Sequence, residues 1–178
     1  MMQTFTNETI DLTLLPKYEQ VVLEKPHPNY WKVIIINLSI FLVIFGAFAT
    51  SVLFLDESFT VNKWYLAGGF AVLAILLFTL YRASFKKRGF ALREKDIIYK
   101  HGIIAETTTI IPLNRIQHVA LAEGAVSRIY GLATLQIFTA GGASGNVNIA
   151  GIAVEQAKTI KEALVKRIDL VEEQTQHA

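Results

Sequence analysis

The sequence predicts a hairpin of two membrane-spanning helices, followed by a small, mainly β domain that ends in a helix. Two uncharged apolar runs, over 33–55 and 64–81, predict the hairpin. Apolar and polar residues alternate across much of 90–149, which predicts antiparallel strands. From Val154 to Ile168 the apolar spacing changes to three and four residues, which predicts the closing helix.

These patterns divide the chain into four segments. We expect a cytoplasmic N-terminal segment over 1–32 and the transmembrane hairpin over 33–81. An α+β domain, mainly β, follows over 82–168, and a flexible polar tail over 169–178 ends the chain.

The composition excludes several classes of protein. Of the 178 residues, 52% are hydrophobic and 18% are charged, so a disordered chain is not expected. The chain has no cysteine, which excludes disulfides, thiolate nucleophiles and cysteine-ligated metal centres.

Each apolar run is long enough to cross a bilayer as a helix. The first spans about 35 Å and the second about 27 Å, against a hydrocarbon core of about 30 Å. The first 32 residues carry no secretory signal pattern, so we expect the first run to be a permanent span. Thr50 and Ser51 lie within it, and we expect such side chains to bond back to the helix or to face the second helix. The linker of eight residues, Asp56 to Lys63, predicts an antiparallel hairpin.

The distribution of basic residues predicts the orientation. Four of them, Arg82, Lys86, Lys87 and Arg88, follow the second span within seven residues, whereas the linker contains only Lys63. Because positive charge favours the cytoplasmic side, both termini are expected in the cytoplasm and the linker outside.

The domain pattern predicts strands near Phe90–Leu92, Ile97–Lys100, Ile103–Ile111, Ile116–Leu121, Thr134–Thr139 and Val147–Ile149. Pro112 cannot donate to a strand ladder, so it should end a strand or lie at a sheet edge. The strand-then-helix order predicts a small curled or barrel-like sheet covered by the last helix.

Three segments resemble the YdbS-like bacterial pleckstrin-homology family. They are the sequence IPLNRIQHV from Ile111, the sequence RIYGLATL from Arg128, and Gly151-Ile152 followed by Glu155-Gln156-Ala157. The resemblance implies a pleckstrin-homology-like, partly open barrel with a C-terminal helix, after a membrane hairpin. It implies no catalytic residue.

The motif residues Pro112, Arg115, Gln117, Arg128 and Gly131 have two interpretations, a structural one and a ligand-contact one. Arg115 and Gln117 are two residues apart and would share a strand face. Gly131 can adopt a positive φ in a turn. One of the two arginines is expected to bind backbone carbonyls and so tie a turn to the sheet.

No pattern of a catalytic, metal or cofactor site is found. The four histidines, His27, His101, His118 and His177, lack the spacing of a metal motif. The glycine-rich stretch 141–145 lacks the ending of a phosphate-binding loop, and it predicts a hairpin turn. We therefore expect a protein that is not an enzyme and has no cofactor.

The strongest functional signal is the basic balance of the domain. Residues 82–168 contain 13 Lys and Arg against 6 Asp and Glu, a balance of +7. Lys86, Lys87 and Arg88 are candidates for contact with anionic lipid, or they only fix the topology. With the family resemblance, the expected function is a membrane-anchored, non-catalytic PH-like binding or assembly module at the cytoplasmic face of a bacterial inner membrane, which the chain crosses twice. The alternatives are recognition of anionic headgroups and an accessory subunit of a transporter or membrane enzyme. Expected partners are membrane lipids and a protein or second copy, not nucleic acid.

Overall fold

The chain folds into two long helices, two three-stranded sheets and a C-terminal helix. The structure is a computed structural model in which residues 18–55, 63–140 and 145–176 are described. The helices are α1 (Tyr30–Leu55), α2 (Lys63–Lys87), α3 (Ala125–Ile129) and α4 (Val154–Gln176). The strands are β1 (Gly89–Leu92), β2 (Asp96–His101), β3 (Thr107–Pro112), β4 (Ile116–Ala122), β5 (Leu132–Thr139) and β6 (Val147–Ala153).

Helices α1 and α2 form an antiparallel hairpin, because the start of α1 contacts the end of α2. The rings of Trp31 and Phe85 lie 5.9 Å apart. The stretches Tyr30–Val52 and Trp64–Lys87 are long and apolar enough to cross a membrane, and only 17% and 0% of their most apolar windows are buried by protein. Apolar helices left uncovered by protein are compatible with a lipid surrounding.

Two polar side chains inside α1 are satisfied by the helix itself. The Thr50 hydroxyl donates to the Gly46 carbonyl at 2.9 Å, and the Ser51 hydroxyl donates to the Phe48 carbonyl at 2.8 Å. The expected back-bonding is therefore confirmed for both residues. The linker residues 56–62 lie outside the described part of the chain.

Helix α2 continues past the apolar run and ends at Lys87. The boundary that the sequence suggests at residue 82 therefore falls inside a continuous helix. The two lysines of its last turn, Lys86 and Lys87, are favourable there because cations interact well with the carbonyl end of a helix.

The two sheets are antiparallel, with strand orders β1-β2-β3 and β4-β5-β6. In the first sheet, Gly89 pairs with Lys100 and Leu92 with Ile97. The chain passes from β3 to β4 through a short 3-10 turn, Leu113–Arg115. Pro112 ends β3, as expected, and β3 is an outer strand of its sheet.

The core lies between the two sheets and α4. The helix contributes Ala157 and Leu164, which are fully buried, and the strands contribute branched aliphatic residues. The most buried of these strand residues are Ile97, Leu135, Ile137, Ile149 and Ile152. Two sheets, a C-terminal helix and a preceding helical hairpin confirm the predicted pleckstrin-homology-like architecture. Helix α4 continues to Gln176, so residues 169–176, which the sequence suggests as a flexible tail, are helical.

Two local predictions differ from the structure. The strand predicted from Ile103 begins only at Thr107, because a loop that contains Gly102 at φ +117° separates it from β2. The short helix α3 is absent from the sequence prediction, since its five residues are too few to show a helical period.

The domain has two ends, which the strand directions define. Strand β1 leaves the end of α2 and runs away from the hairpin, so β2 returns towards it. The hairpin-side end therefore contains the β2–β3 loop over 102–106 and, at the start of β5, helix α3. The far end contains the β1–β2 turn over 93–95 and the turn Leu113–Arg115.

Candidate functional site

The residues before α1 bridge the two sheets, which makes them part of the domain. Glu24 and Phe90 of β1 exchange two backbone hydrogen bonds, of 2.7 and 3.0 Å. Three residues later, the His27 amide donates to the Gly151 carbonyl in β6 at 2.8 Å. Because β1 and β6 are outer strands of different sheets, this segment spans the seam between them. We call residues 22–30 the seam segment.

A side-chain contact reinforces the seam segment. The Gln156 amide on α4 donates to the Glu24 carboxylate at 2.5 Å. The seam segment therefore contacts both sheets and the C-terminal helix. By sequence these residues are expected to belong to a separate N-terminal segment, 1–32. The only local signal for their role was the apolar run Val21–Leu23, which is short for a strand.

Gly151 allows the start of α1 to lie directly on β6. It is the extra residue of a β-bulge, because its neighbours Ala150 and Ile152 pair with consecutive residues of β5. Its φ is +83°, and a Cβ built there would lie 2.5 Å from Cγ of Tyr30. The ring of Tyr30 thus occupies the space that the Cβ of any other residue at position 151 would need. At Gly89, a Cβ would lie 2.9 Å from Cβ of Leu23.

An arginine joins the end of α2 to the start of α1. Arg88 donates to the Ser84 hydroxyl at 3.3 Å and to the Tyr30 hydroxyl at 3.4 Å. Ser84 is buried. Burial raises the pKa of the nearby Tyr99, and the positive charge of Arg88 partly opposes that rise. The guanidinium is therefore a partly buried connector between α1 and α2.

Aromatic and cationic side chains also lie side by side around the start of α1 and the end of α2. The Arg82 guanidinium lies over the Trp31 ring, 4.8 Å from its centre. On the other side, the Lys32 ammonium lies 5.9 Å from the centre of the Tyr130 ring. Cation–ring contacts of this kind are favourable, and such residues are enriched at membrane–water interfaces.

Lys87 is engaged by the β2–β3 loop. Its ammonium donates to the Ile103 carbonyl at 2.9 Å and pairs with Glu106 at 3.0 Å. Lys100 pairs with the same carboxylate at 2.7 Å. Hydrogen bonds from Lys100 and Lys87 lower the pKa of Glu106 to about 2.

The three candidates for lipid contact therefore have different surroundings. Lys87 and Arg88 make contacts within the protein, as described above. Lys86 is exposed, and its carbonyl accepts a hydrogen bond from Lys25 at 3.3 Å. Among the described residues, the Lys86 ammonium has no carboxylate partner.

The motif residues are divided between the two ends of the domain. Arg115 ends the 3-10 turn at the far end, and Arg128 lies in α3 at the hairpin-side end. Strand β4 separates them, and its seven residues span about 23 Å. A single ligand site that includes both arginines is not compatible with this placement.

Among the residues that the structure describes, backbone hydrogen bonds tie both of these turns to neighbouring segments. The Arg115 carbonyl accepts from the Ala140 amide at 3.1 Å, and the Gly131 carbonyl accepts from the Val154 amide at 3.0 Å. Gly131 has a φ of +64°, as its turn requires. The Arg128 guanidinium lies 3.8 Å from the Glu123 carboxylate. Gln117 lies at a β-bulge, so it does not continue a regular strand face with Arg115.

The described residues contain no group of three metal-ligating side chains. His101 stacks on Tyr99 at 4.9 Å, and His118 lies 5.5 Å from the Phe138 ring. Both histidines therefore have aromatic neighbours on the sheets. His177 and the loop over 141–144 lie outside the described residues.

Comparisons with known proteins agree with this architecture. Residues 33–168, which include both long helices and both sheets, match the family described as "Bacterial PH domain". The UPF0699 transmembrane protein YdbT of Bacillus subtilis (strain 168) is 35% identical over 103 residues, which cover 56% of this chain and 21% of YdbT. The UPF0699 transmembrane protein YdbS of the same strain is 27% identical over 90 residues, which cover 51% of this chain and 55% of YdbS.

The chain therefore spans about a fifth of YdbT and about half of YdbS. No solved structure is significantly similar to it. The family match covers most of the chain and includes the helical hairpin, both sheets and the start of α4. On this match, the chain belongs to the bacterial PH domain family.

Proposed function

We propose that this protein is a membrane-anchored, non-catalytic binding or assembly module at the cytoplasmic face of a bacterial inner membrane. One observation carries the proposal: the domain is joined to the hairpin on both sides. Arg88 connects α2 to Tyr30 of α1, and the seam segment joins α1 to both sheets. A domain held in this way presents a fixed surface at the membrane.

The proposed orientation places both ends of the chain in the cytoplasm. Its support is the excess of basic residues on the domain side of the hairpin, where Arg82 and Lys86 are exposed. The chain has no native cysteine, so single cysteines can be labelled without background. We expect Ser58→Cys, in the linker, to react with a membrane-impermeant maleimide on spheroplasts. Asn148→Cys, exposed on β6, should react only after permeabilisation. The opposite pattern would reverse the orientation.

A groove beside α4 is the surface best suited to a protein partner. It has a volume of about 550 Å³ and lies between α4 and β4. Two apolar side chains, Leu121 and Val165, line it together with Lys158, Lys161, Glu162 and Lys166. Apolar surface with a charged rim is typical of a protein interface. The excess of lysine favours a partner segment with acidic residues.

Photocrosslinking in native membranes tests this surface. A photoreactive amino acid at Lys161 should give a discrete adduct, whose mass distinguishes a second copy from a transporter or enzyme subunit. Lys95 is the matched control, because it is an exposed lysine at the far end of the domain. Absence of an adduct at Lys161, or the same adducts at both positions, would contradict the groove as the binding surface.

A further inference from the structure

Two large aliphatic side chains are exposed at the hairpin-side end of the domain. Ile104, in the β2–β3 loop, is 97% exposed, and Ile129, the last residue of α3, is 79% exposed. Exposure of this degree leaves the apolar surface of both side chains in contact with solvent unless something outside the chain covers it.

The strand register places Ile104 beside α2. Gly89, the first residue of β1, pairs with Lys100, so the chain after Lys100 extends past the start of β1 and back along the helix. The hydrogen bond from Lys87 to the Ile103 carbonyl fixes the loop at that level. Lys87 is five residues beyond Arg82, or about 7.5 Å along the helix axis. That distance is similar to the thickness of one headgroup layer, on the order of 5–8 Å.

Ile129 is placed beside α1 in a similar way. Helix α3 packs against α1, and Tyr130, which follows it, lies next to Lys32. The Gly131 carbonyl that accepts from Val154 ties this turn to the start of α4. The two exposed isoleucines therefore lie next to different helices of the hairpin.

The charges between the two isoleucines are mainly positive. Lys32, Arg82, Lys86 and Arg128 are all exposed at this end. The acidic groups nearby are paired, Glu106 with two lysines, Glu123 with Arg128, and Glu155 at the start of α4 with Lys158. Exposed apolar side chains among cations favour the surface of an anionic leaflet, where long basic side chains reach the phosphates.

We propose that the hairpin-side end of the domain is docked on the bilayer that holds the hairpin, with Ile104 and Ile129 inserted among the lipid headgroups. This inference rests on the proposed membrane insertion of α1 and α2. It differs from headgroup recognition at Lys86, Lys87 and Arg88, because the contact is apolar and is made by residues on a loop and a short helix. In the docked arrangement, the far end of the domain faces the cytoplasm.

Lipid-quenching fluorescence on the full-length protein tests the docking. Ile104→Cys and Ile129→Cys carry an environment-sensitive dye in proteoliposomes of phosphatidylcholine and phosphatidylglycerol. Val22→Cys is the matched control, since Val22 is an aliphatic residue 91% exposed. It precedes Glu24, the partner of Phe90, and so lies towards the far end, roughly 20 Å from the β2–β3 loop. Val72→Cys lies eight residues inside the apolar run of α2, and lipids with a quencher near the ends of the acyl chains read insertion of the hairpin itself at this position.

We expect lipids with a quencher near the headgroup to remove most of the emission at positions 104 and 129 and almost none at position 22. Quenching at position 72 with none at 104 and 129 would overturn the docking while leaving the membrane anchor intact. Quenching at only one of the two isoleucine positions would overturn the contact on both sides of the hairpin. A blue shift without lipid quenching would indicate a protein cover and would also overturn the proposal. Absence of quenching at position 72 as well would refute membrane insertion, and with it the proposed function.

Discussion

Replacing Gly151 by alanine tests whether the start of α1 is packed on β6 as described. The added Cβ would lie 2.5 Å from Cγ and 2.9 Å from Cβ of Tyr30. These atoms are close to the backbone of Tyr30, so a simple rotation of the ring does not remove the clash. Relief requires the first turn of α1 to move away from the second sheet.

The magnitude has two contributions. A non-glycine residue at φ +83° costs about 1–2 kcal/mol, because its Cβ approaches the following carbonyl. Inserting a methyl group into a closely packed contact costs about 1–3 kcal/mol more. The sum is about 2–5 kcal/mol, which in a protein of this size corresponds to a fall in Tm of about 4–20 °C.

Gly131 provides the matched control. Its φ is also positive, at +64°, but a Cβ there would meet nothing within 4 Å. Gly131→Ala should therefore cost only the backbone contribution, about 1–2 kcal/mol. The measurement is thermal unfolding of the purified protein in detergent, followed by circular dichroism. In a Tyr30→Gly background, which removes both Cβ and Cγ, Gly151→Ala should lose its additional cost and behave like Gly131→Ala. Equal destabilisation by the two glycine variants in the Tyr30 protein would refute the packing of the ring on β6.

Three further predictions concern side chains near the end of α2 and in the core of the domain. Arg88→Met should lower the unfolding free energy by about 1–3 kcal/mol, because two hydrogen bonds from the charged guanidinium are lost. Lys86→Met should change it little. Equal Tm values for the two variants would contradict the role of Arg88 as a connector. Because the pKa of Glu106 is lowered from 4.5 to about 2, its ion pairs stabilise the folded state above pH 4.5, and this stabilisation is lost as the pH falls towards 2. Glu106→Gln should remove that part of the dependence of Tm on pH, and an unchanged pH profile would argue against the two lysine contacts. Leu164→Ala should cost about 2–5 kcal/mol because the side chain is 1% exposed, and Val165→Ala, at 40% exposure, should cost far less in the same thermal assay.

Much of the fold follows from local sequence periodicity. The uncharged runs locate both long helices, and the change from alternating to helical spacing at Val154 coincides with the start of α4. Pro112 ends its strand, and Gly131 has the positive φ that its turn requires. These features are encoded in a few neighbouring residues, so a single sequence is enough to predict them.

The contacts of the seam segment and of the end of α2 with the domain could not be predicted from the sequence, because they join residues that are distant in the chain. Nothing near Glu24 indicates that it pairs with Phe90, and nothing near Gly151 indicates that Tyr30 covers it. The same reason applies to Lys87, which appears in the sequence as one member of a basic cluster. Its partner Glu106 becomes visible only when the β2–β3 loop returns to the end of α2.

The bridge made by the seam segment links the order of synthesis to the completion of the barrel. Glu24 emerges from the ribosome 132 residues before its partner Gln156, and both long helices are made in between. With both helices inserted as proposed, the two residues can meet only if the ends of the hairpin return to the same side of the membrane. A chain that inserts with one helix misplaced would leave the outer strands β1 and β6 without their bridge. Correct threading of the bilayer is thus a precondition for a finished domain, and exposed strand edges would mark the chains that failed.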